Sequence, residues 1–184
     1  MGETTFDEHG RPEPPQQGSE GATLLGYVEF MRATLEWKCR DVDDEGLRAS
    51  LDPTAMTLGG LLKHLAWVED YWCTHTLGGQ SMPEPWASID WSTAGEDWEW
   101  TSAAEDTGVE LREQWARSVD RSRAVVDGLL AGDEETALSR THGAWDGQAQ
   151  VSLRWVLVHL VEEYARHNGH ADLLREAVDG HTGE

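Results

Sequence analysis

The sequence predicts an all-α protein, a four-helix bundle with two long irregular crossings, and three observations carry that prediction. Four segments of roughly twenty residues or more repeat apolar residues at spacings of three and four, the period of one helix face. No segment sustains the apolar–polar alternation of a half-buried strand. Two stretches between the periodic segments, 80–103 and 133–150, hold Gly and Trp, with two prolines in the first, and show no period, as long crossings of a bundle do. A chain of 184 residues is one ordinary domain, large enough to bury about 70% of its unfolded surface.

In chain order, residues 1–19 are polar and rich in Pro, Gly and Gln, which predicts a flexible tail ahead of a bundle spanning 20–180. The first helix is expected from Gly21 to Arg40, with Leu24, Leu25, Val28, Met31 and Leu35 on one face. An Asp-rich connector follows, and Pro53 stops any helix from crossing it. The second helix opens at the cap residue Thr57 and continues to Leu77, with Leu61, His64, Val68, Tyr71 and His75 on its inner face. Gly78-Gly79 ends it. The first crossing carries Trp86, Trp91, Trp98 and Trp100, whose indoles either line a cavity or, more simply, fix the loop. The third helix is expected from Glu105 to Leu130, with Leu111, Trp115, Val119 and Val126 among its apolar positions. The second crossing carries His142, Gly143 and Trp145. The last helix, Val151 to Val178, is capped by Ser152 and ended by Asp179-Gly180, leaving 181–184 as a short tail.

Charge narrows the partners. Thirty-five acidic against fourteen basic residues give a net charge of −21, and charging all eight histidines would still leave −13. Such a field repels phosphate backbones and anionic lipid surfaces, so neither nucleic acid nor a membrane is expected as partner. No apolar run approaches the roughly 20 residues of a membrane span, and the acidic start lacks the basic-then-apolar form of a signal peptide. Cys39 and Cys73 make no metal-type pair and are few for an oxidising compartment. The expectation is a soluble cytoplasmic protein.

The chemistry is concentrated on the last helix. At about 100° per residue, His159, Glu163, His167 and His170 fall on one stripe with Val156, Leu160 and Leu174 on or beside it. A carboxylate and several imidazoles on a buried face require partners. A divalent metal is one such partner, because Glu oxygen and His nitrogen at a spacing of four reach one ion from neighbouring turns. His64 lies among core positions of the second helix and offers a third donor. His75 is eleven residues further on, about 16 Å along the axis, and cannot share an ion with His64. A lone histidine on such a face is ordinarily a hydrogen-bonded core residue; a second helix with its own Glu and His makes His64, Glu163 and His167 a set. The alternative set is His64, His167 and His170, with Glu163 behind it. Phosphate-binding glycine loops, nucleophile elbows and HExxH pairs are absent from the sequence.

Two blocks carry a family resemblance. TLGGLLKHLAWVEDYW and, about a hundred residues later, LRWVLVHLVEEYARHNGHADLLREAVDG resemble the DinB superfamily of bundle metalloproteins, and within it the actinobacterial branch that includes the mini-circle protein. The resemblance extends from Gly21 to Gly180. It implies an up-down-down-up bundle around one divalent ion, held by one ligand from the second helix, at His64, and two from the last, at Glu163 and His167. The commonest pattern has histidine at both last-helix places; glutamate at the first resembles the mycothiol-dependent maleylpyruvate isomerases. Relatives use small thiols such as mycothiol.

Two functions follow. In one, the protein is a metal-dependent thiol transferase or isomerase. A divalent ion (zinc or nickel first, then manganese or iron) activates mycothiol or a similar thiol toward an electrophilic substrate. Its acid–base candidates beyond the ligands are His170, Tyr71 and Asp70, and Lys63, Arg166 and Arg175 are basic residues near the mouth. In the other, a fourth protein ligand closes the site and the bundle binds metal without catalysis. A homodimer is expected from relatives and from the apolar surplus of the Trp-rich crossing.

Overall fold

The computed structural model describes residues 4–95, 97–145 and 147–183. Four long helices dominate: α1 (Glu20–Cys39), α3 (Leu58–Glu69) with its π-helical continuation Asp70–Leu77, α6 (Gly108–Leu130) and α8 (Leu153–Asp179). Short helices fill the connections: α2 (Asp44–Arg48), α4 (Trp91–Ala94), α5 (Trp98–Ser102) and α7 (Glu134–Ser139). The caps follow the sequence chemistry. Thr57 Oγ accepts the Gly60 amide and Ser152 Oγ the Trp155 amide, Thr107 and Glu110 form a reciprocal capping box, and α8 ends at left-handed Gly180, φ 77°.

Side-chain bonds fix the helix directions. Arg154 near the start of α8 pairs with Glu20 at the start of α1, while Arg175 near its end bonds the carbonyls of Lys38 and Arg40. The two helices are therefore parallel. Likewise Lys63 reaches Asp106, just before α6, and Asp70 reaches Ser118 and Arg121 further along it. Arg112 early in α6 bonds the Cys39 carbonyl at the end of α1, while Arg123, further along α6, pairs with Glu29 earlier in α1, so this second pair runs opposite to the first. The topology is up-down-down-up, as the resemblance implies.

Two apolar clusters pack the interior. One gathers Leu35, Leu58, Leu61, Leu62, Leu111, Trp115 and Leu174; the other gathers Val28, Val68, Trp72, Leu138, Leu153, Val156 and Leu160. Between them lies a layer of buried charge. Glu69, fully buried, accepts two bonds from Arg32 at 2.8 and 2.6 Å and one from the Tyr164 hydroxyl at 2.8 Å. Trp115 Nε1 donates to the same hydroxyl at 2.9 Å. Next to it Asp70, also fully buried, accepts from Arg121, Ser118 and Trp86.

Four features differ from the sequence reading. Past Glu69 the second helix continues with π winding. Wider turns rephase its faces, so Cys73, Thr74 and Thr76 turn inward while His75, expected inside, is exposed and bonded to the Gln80 carbonyl at 2.8 Å. Although no strand was expected, β1 (Thr141–Ala144) and β2 (Ala149–Ser152) pair as a small antiparallel hairpin beside α8, too short to show a period. The first crossing holds helical turns at Trp86–Ser88, α4 and α5 rather than an unstructured loop.

Residues 4–19, expected as a flexible tail, fold back along α1. Asp7 accepts the His9 and Arg11 amides and pairs with the Arg11 side chain at 2.6 Å. The Arg11 guanidinium lies over the Phe30 and Trp37 rings, and His9 stacks on Trp37. Composition hid these contacts, because they join a polar segment to aromatic residues on another element.

The buried layer makes a definite prediction. Glu69→Ala leaves Arg32 charged without its main partner and should cost about 3–5 kcal/mol in urea denaturation. Tyr164→Phe, which removes one hydroxyl from the same network, should cost about 1–3 kcal/mol.

Candidate functional site

The antiparallel seam between α3 and α8 brings His64, Glu163 and His167 together. One ligand-type atom from each lies within 4.8 Å of the other two. Glu163 Oε2 is 3.3 Å from His167 Nε2 and 3.6 Å from His64 Nε2. Local helix geometry supplies the first contact, since residues four apart stand one above the other; tertiary packing supplies the second. His167 is buried, while His64 and Glu163 remain about 15% exposed at their side chains. The group thus opens to solvent on one side.

The second ring nitrogen of His64 is also held. Its Nδ1 lies 3.2 Å from Glu99 Oε1, and Glu99, on α5, is only 6% exposed. A carboxylate there accepts from Nδ1 and aims Nε2 toward Glu163, the orientation that ligating histidines require. Trp100, next to Glu99, stacks on His64 at 4.4 Å between centroids and tilts over His167 at 5.5 Å. The sequence reading missed Glu99. Its one sign was a carboxylate flanked by tryptophans in a crossing whose path no local pattern reveals. The loop-fixing reading of the Trp-rich segment holds, since Trp86 anchors the crossing through Asp70, and Trp100 in addition covers the histidines.

Charge coupling inside the group is strong. Hydrogen bonding to His167 and His64 holds the Glu163 carboxyl far below the usual carboxylate range, against the effect of burial. Burial pulls the His64 imidazole down, but Glu163 and Glu99 outweigh it and leave its pKa raised. Three convergent N, O and N donors with an oriented imidazole are a fitting set for a divalent cation.

The remaining candidates are dispersed. His170 is adjacent: its Nδ1 is 3.3 Å from His167 Nδ1, and burial followed by the His167 and Arg166 charges lowers its pKa. Tyr71 stacks on Trp67 at 5.0 Å and meets Trp72 and His75, away from the three donors. Asp70 is enclosed in the buried layer with both oxygens bonded. Lys63 is buried rather than on a rim, paired with Asp106 beneath the Trp98 ring. Arg166 is exposed and pairs with Glu162, and Arg175 is bound to main-chain carbonyls at the bundle end.

A family model described as mycothiol S-transferase matches residues 23–180. The chain belongs to the mycothiol S-transferase family. This is a DinB-like family, in agreement with the resemblance carried by the two helical blocks. A search of the curated proteins finds no match. Membership associates the chain with a small-molecule thiol, and the matched span includes all three donors, Glu99 and Trp100. Among the described residues no helix is long and apolar enough to cross a membrane.

The raised pKa of His64 can be tested in chelator-treated protein. By NMR its imidazole should titrate above the ordinary 6.5, and Glu99→Gln should bring the value down. A folded pKa above the unfolded one gives stability that is complete below about pH 6.5 and lost as pH rises through the folded value. The variant should narrow that window from its alkaline side.

Proposed function

We propose that the protein is an enzyme that transfers mycothiol, or a closely similar thiol, to an electrophilic substrate, with one divalent ion held by His64, Glu163 and His167. The single observation behind this reading is the convergence of those donors, oriented by Glu99, in a chain of the mycothiol S-transferase family. When bound, the ion supplies a Lewis-acid charge that favours the thiolate form of an incoming thiol near neutral pH.

The chain's own side chains define the remaining tasks. Both cysteines are buried, and burial pushes each thiol up to about 12. Neither is a nucleophile, so the reacting sulfur comes from a co-substrate. Trp100 and the packed seam shield one side of the donors from water, while the partly exposed edges of His64 and Glu163 face the entry. His170 is the acid–base candidate in reach: its lowered pKa keeps it neutral near pH 7 and able to accept the thiol proton. Tyr71 fits the aromatic wall better than proton transfer, and Asp70 fits a structural role.

Three protein donors are also the number that catalytic zinc-type sites use, which favours the enzyme over a closed structural site. Zinc and nickel lead among the metals the N and O donors suit, with manganese and iron behind. The domain carrying the activity is residues 20–180.

Elemental analysis of protein purified without chelators should find one divalent ion per chain. His64→Ala, Glu163→Ala and His167→Ala should each lose it, Glu99→Gln should weaken binding about 10–100-fold, and His170→Ala should keep the ion while slowing thiol transfer. Full metal in Glu163→Ala with loss in His170→Ala would move the site to His64, His167 and His170. Chelation should lower the melting temperature at pH 7.5, since only the folded chain presents the assembled site.

A further inference from the structure

One turn before Glu163, the exposed side of α8 carries a second arrangement of rings. His159 Nε2 is 3.5 Å from Glu163 Oε1, on the opposite side of that carboxylate from the His64 and His167 contacts. The His159 ring stacks on Trp155, 5.0 Å between centroids and 20° between planes, and meets Trp72 edge-on at 5.0 Å. Trp145 reaches across from the hairpin turn. It is edge-on to Trp72 at 5.4 Å and to Trp155 at 6.3 Å, and Trp72 and Trp155 are 5.0 Å apart. Three indoles from three elements therefore meet beside the donor group. Trp72 is buried and forms the floor, while Trp145 and Trp155 keep 44% and 41% of their surface exposed.

Packing alone does not account for Trp145. Its φ is +49°, in the left-handed region that bulky L residues avoid, within a hairpin turn whose Gly147 takes φ +81° without strain. Glycine would serve the turn better at position 145. Burial does not offset the strain either, because nearly half of the residue stays exposed. What the strained backbone achieves is to hold an indole over Trp72 and Trp155. The charge around the cluster argues about the ligand. Glu163 and Glu162 flank His159, the latter already paired with Arg166, and the chain carries a net −21, so an anion is disfavoured. Flat indole faces in an edge-to-face cluster receive another flat ring by offset stacking.

We propose that Trp72, Trp145 and Trp155 form a stacking platform for the planar, uncharged aromatic part of the electrophilic substrate, selecting aromatic over small aliphatic electrophiles. That the ligand is an electrophile rests on the thiol-transfer reading; that it is a flat apolar ring rests on the indoles alone. Trp155 lies eight residues before Glu163, about 12 Å along the helix, with His159 between them, so the platform stands on the approach to the donors. With an aryl chloride, the thiol sulfur bonds the ring carbon, chloride leaves with the bonding pair, and the thiol proton passes to a base.

Two measurements test this and separate it from the transferase reading. In the first, the inert probe 2-naphthol is titrated into full-length protein by calorimetry, with and without chelator, so that neither thiol nor metal is needed. Trp145→Gly should weaken binding about three- to tenfold without lowering the melting temperature, because glycine relieves the positive φ; Trp155→Ala should weaken it similarly. In the second, mycothiol transfer to 1-chloro-2,4-dinitrobenzene should show a matching rise in KM in Trp145→Gly, with transfer to iodoacetamide unchanged. The platform is overturned if wild-type protein does not bind 2-naphthol or if Trp145→Gly binds it equally well. It is also overturned if Trp145→Gly converts a dimer to a monomer, which would make the indoles an interface between copies. Intact 2-naphthol binding, weakened in Trp145→Gly, with no thiol transfer would sustain the platform and sink the transferase reading instead.

Discussion

Two adjacent carboxylates, Glu69 and Asp70, sit fully buried where α3 passes into π winding, and the arrangement of the bundle depends on satisfying both. Removing a charge from water costs several kcal/mol unless it is paired and hydrogen-bonded. Glu69 is satisfied from α1 by Arg32 and from α8 by Tyr164, and Trp115 of α6 joins through the Tyr164 hydroxyl. All four long helices thus meet in one chain of bonds. Asp70 points about 100° away around the helix and draws in Arg121 and Ser118 of α6 and Trp86 of the first crossing. Apolar packing would tolerate small rotations of each helix; these directional bonds select one.

That selection assembles the candidate site. Tyr164 can reach Glu69 only with α8 turned so that its neighbour Glu163 faces the α3 seam, and His167 follows one turn later on the same side. Five residues before Glu69, His64 faces the same seam from α3. The crossing pinned by Trp86 then runs back over the seam, where Glu99 orients His64 and Trp100 stacks on it. The structural Glu69 and the candidate functional Glu163 are therefore tied together through one dipeptide, Glu163-Tyr164, and differ in partner chemistry. Glu69 faces a permanent guanidinium, whereas Glu163 faces imidazoles whose charge depends on proton and metal.

The π winding contributes in the other direction along α3. It keeps Trp67, Tyr71 and Trp72 in one aromatic layer toward the hairpin and α8, while the inward-turned Cys73 is sealed in the core. The same segment thereby removes one of the two thiols from reaction and presents rings beside the donor group. Family membership gives this arrangement its chemical context by associating the chain with a small-molecule thiol.

The sequence by itself determined the helices, their caps and the stripe on α8, because these follow from local periodicity and from hydrogen bonding within a few residues. Thr57, Ser152 and Gly180 act at the ends where their chemistry placed them. Glu163 and His167 were legible as a pair for the same reason, a spacing of four on one helix. His64 could be nominated from its face but not assigned, since nothing local tells a core histidine from one aimed at another helix. Tertiary structure alone decided the rest. Glu99 and Trp100 reach the site through the path of an irregular crossing, and the N-terminal segment is held by rings on α1 that its own composition does not reveal. His75 left the inner face because π winding breaks the 100° step on which the projection rests. The hairpin that lifts Trp145 over Trp72 is four residues a side, too short for a strand pattern to emerge. Periodicity reports on neighbours along the chain; contacts between segments far apart in sequence become visible only when the bundle closes.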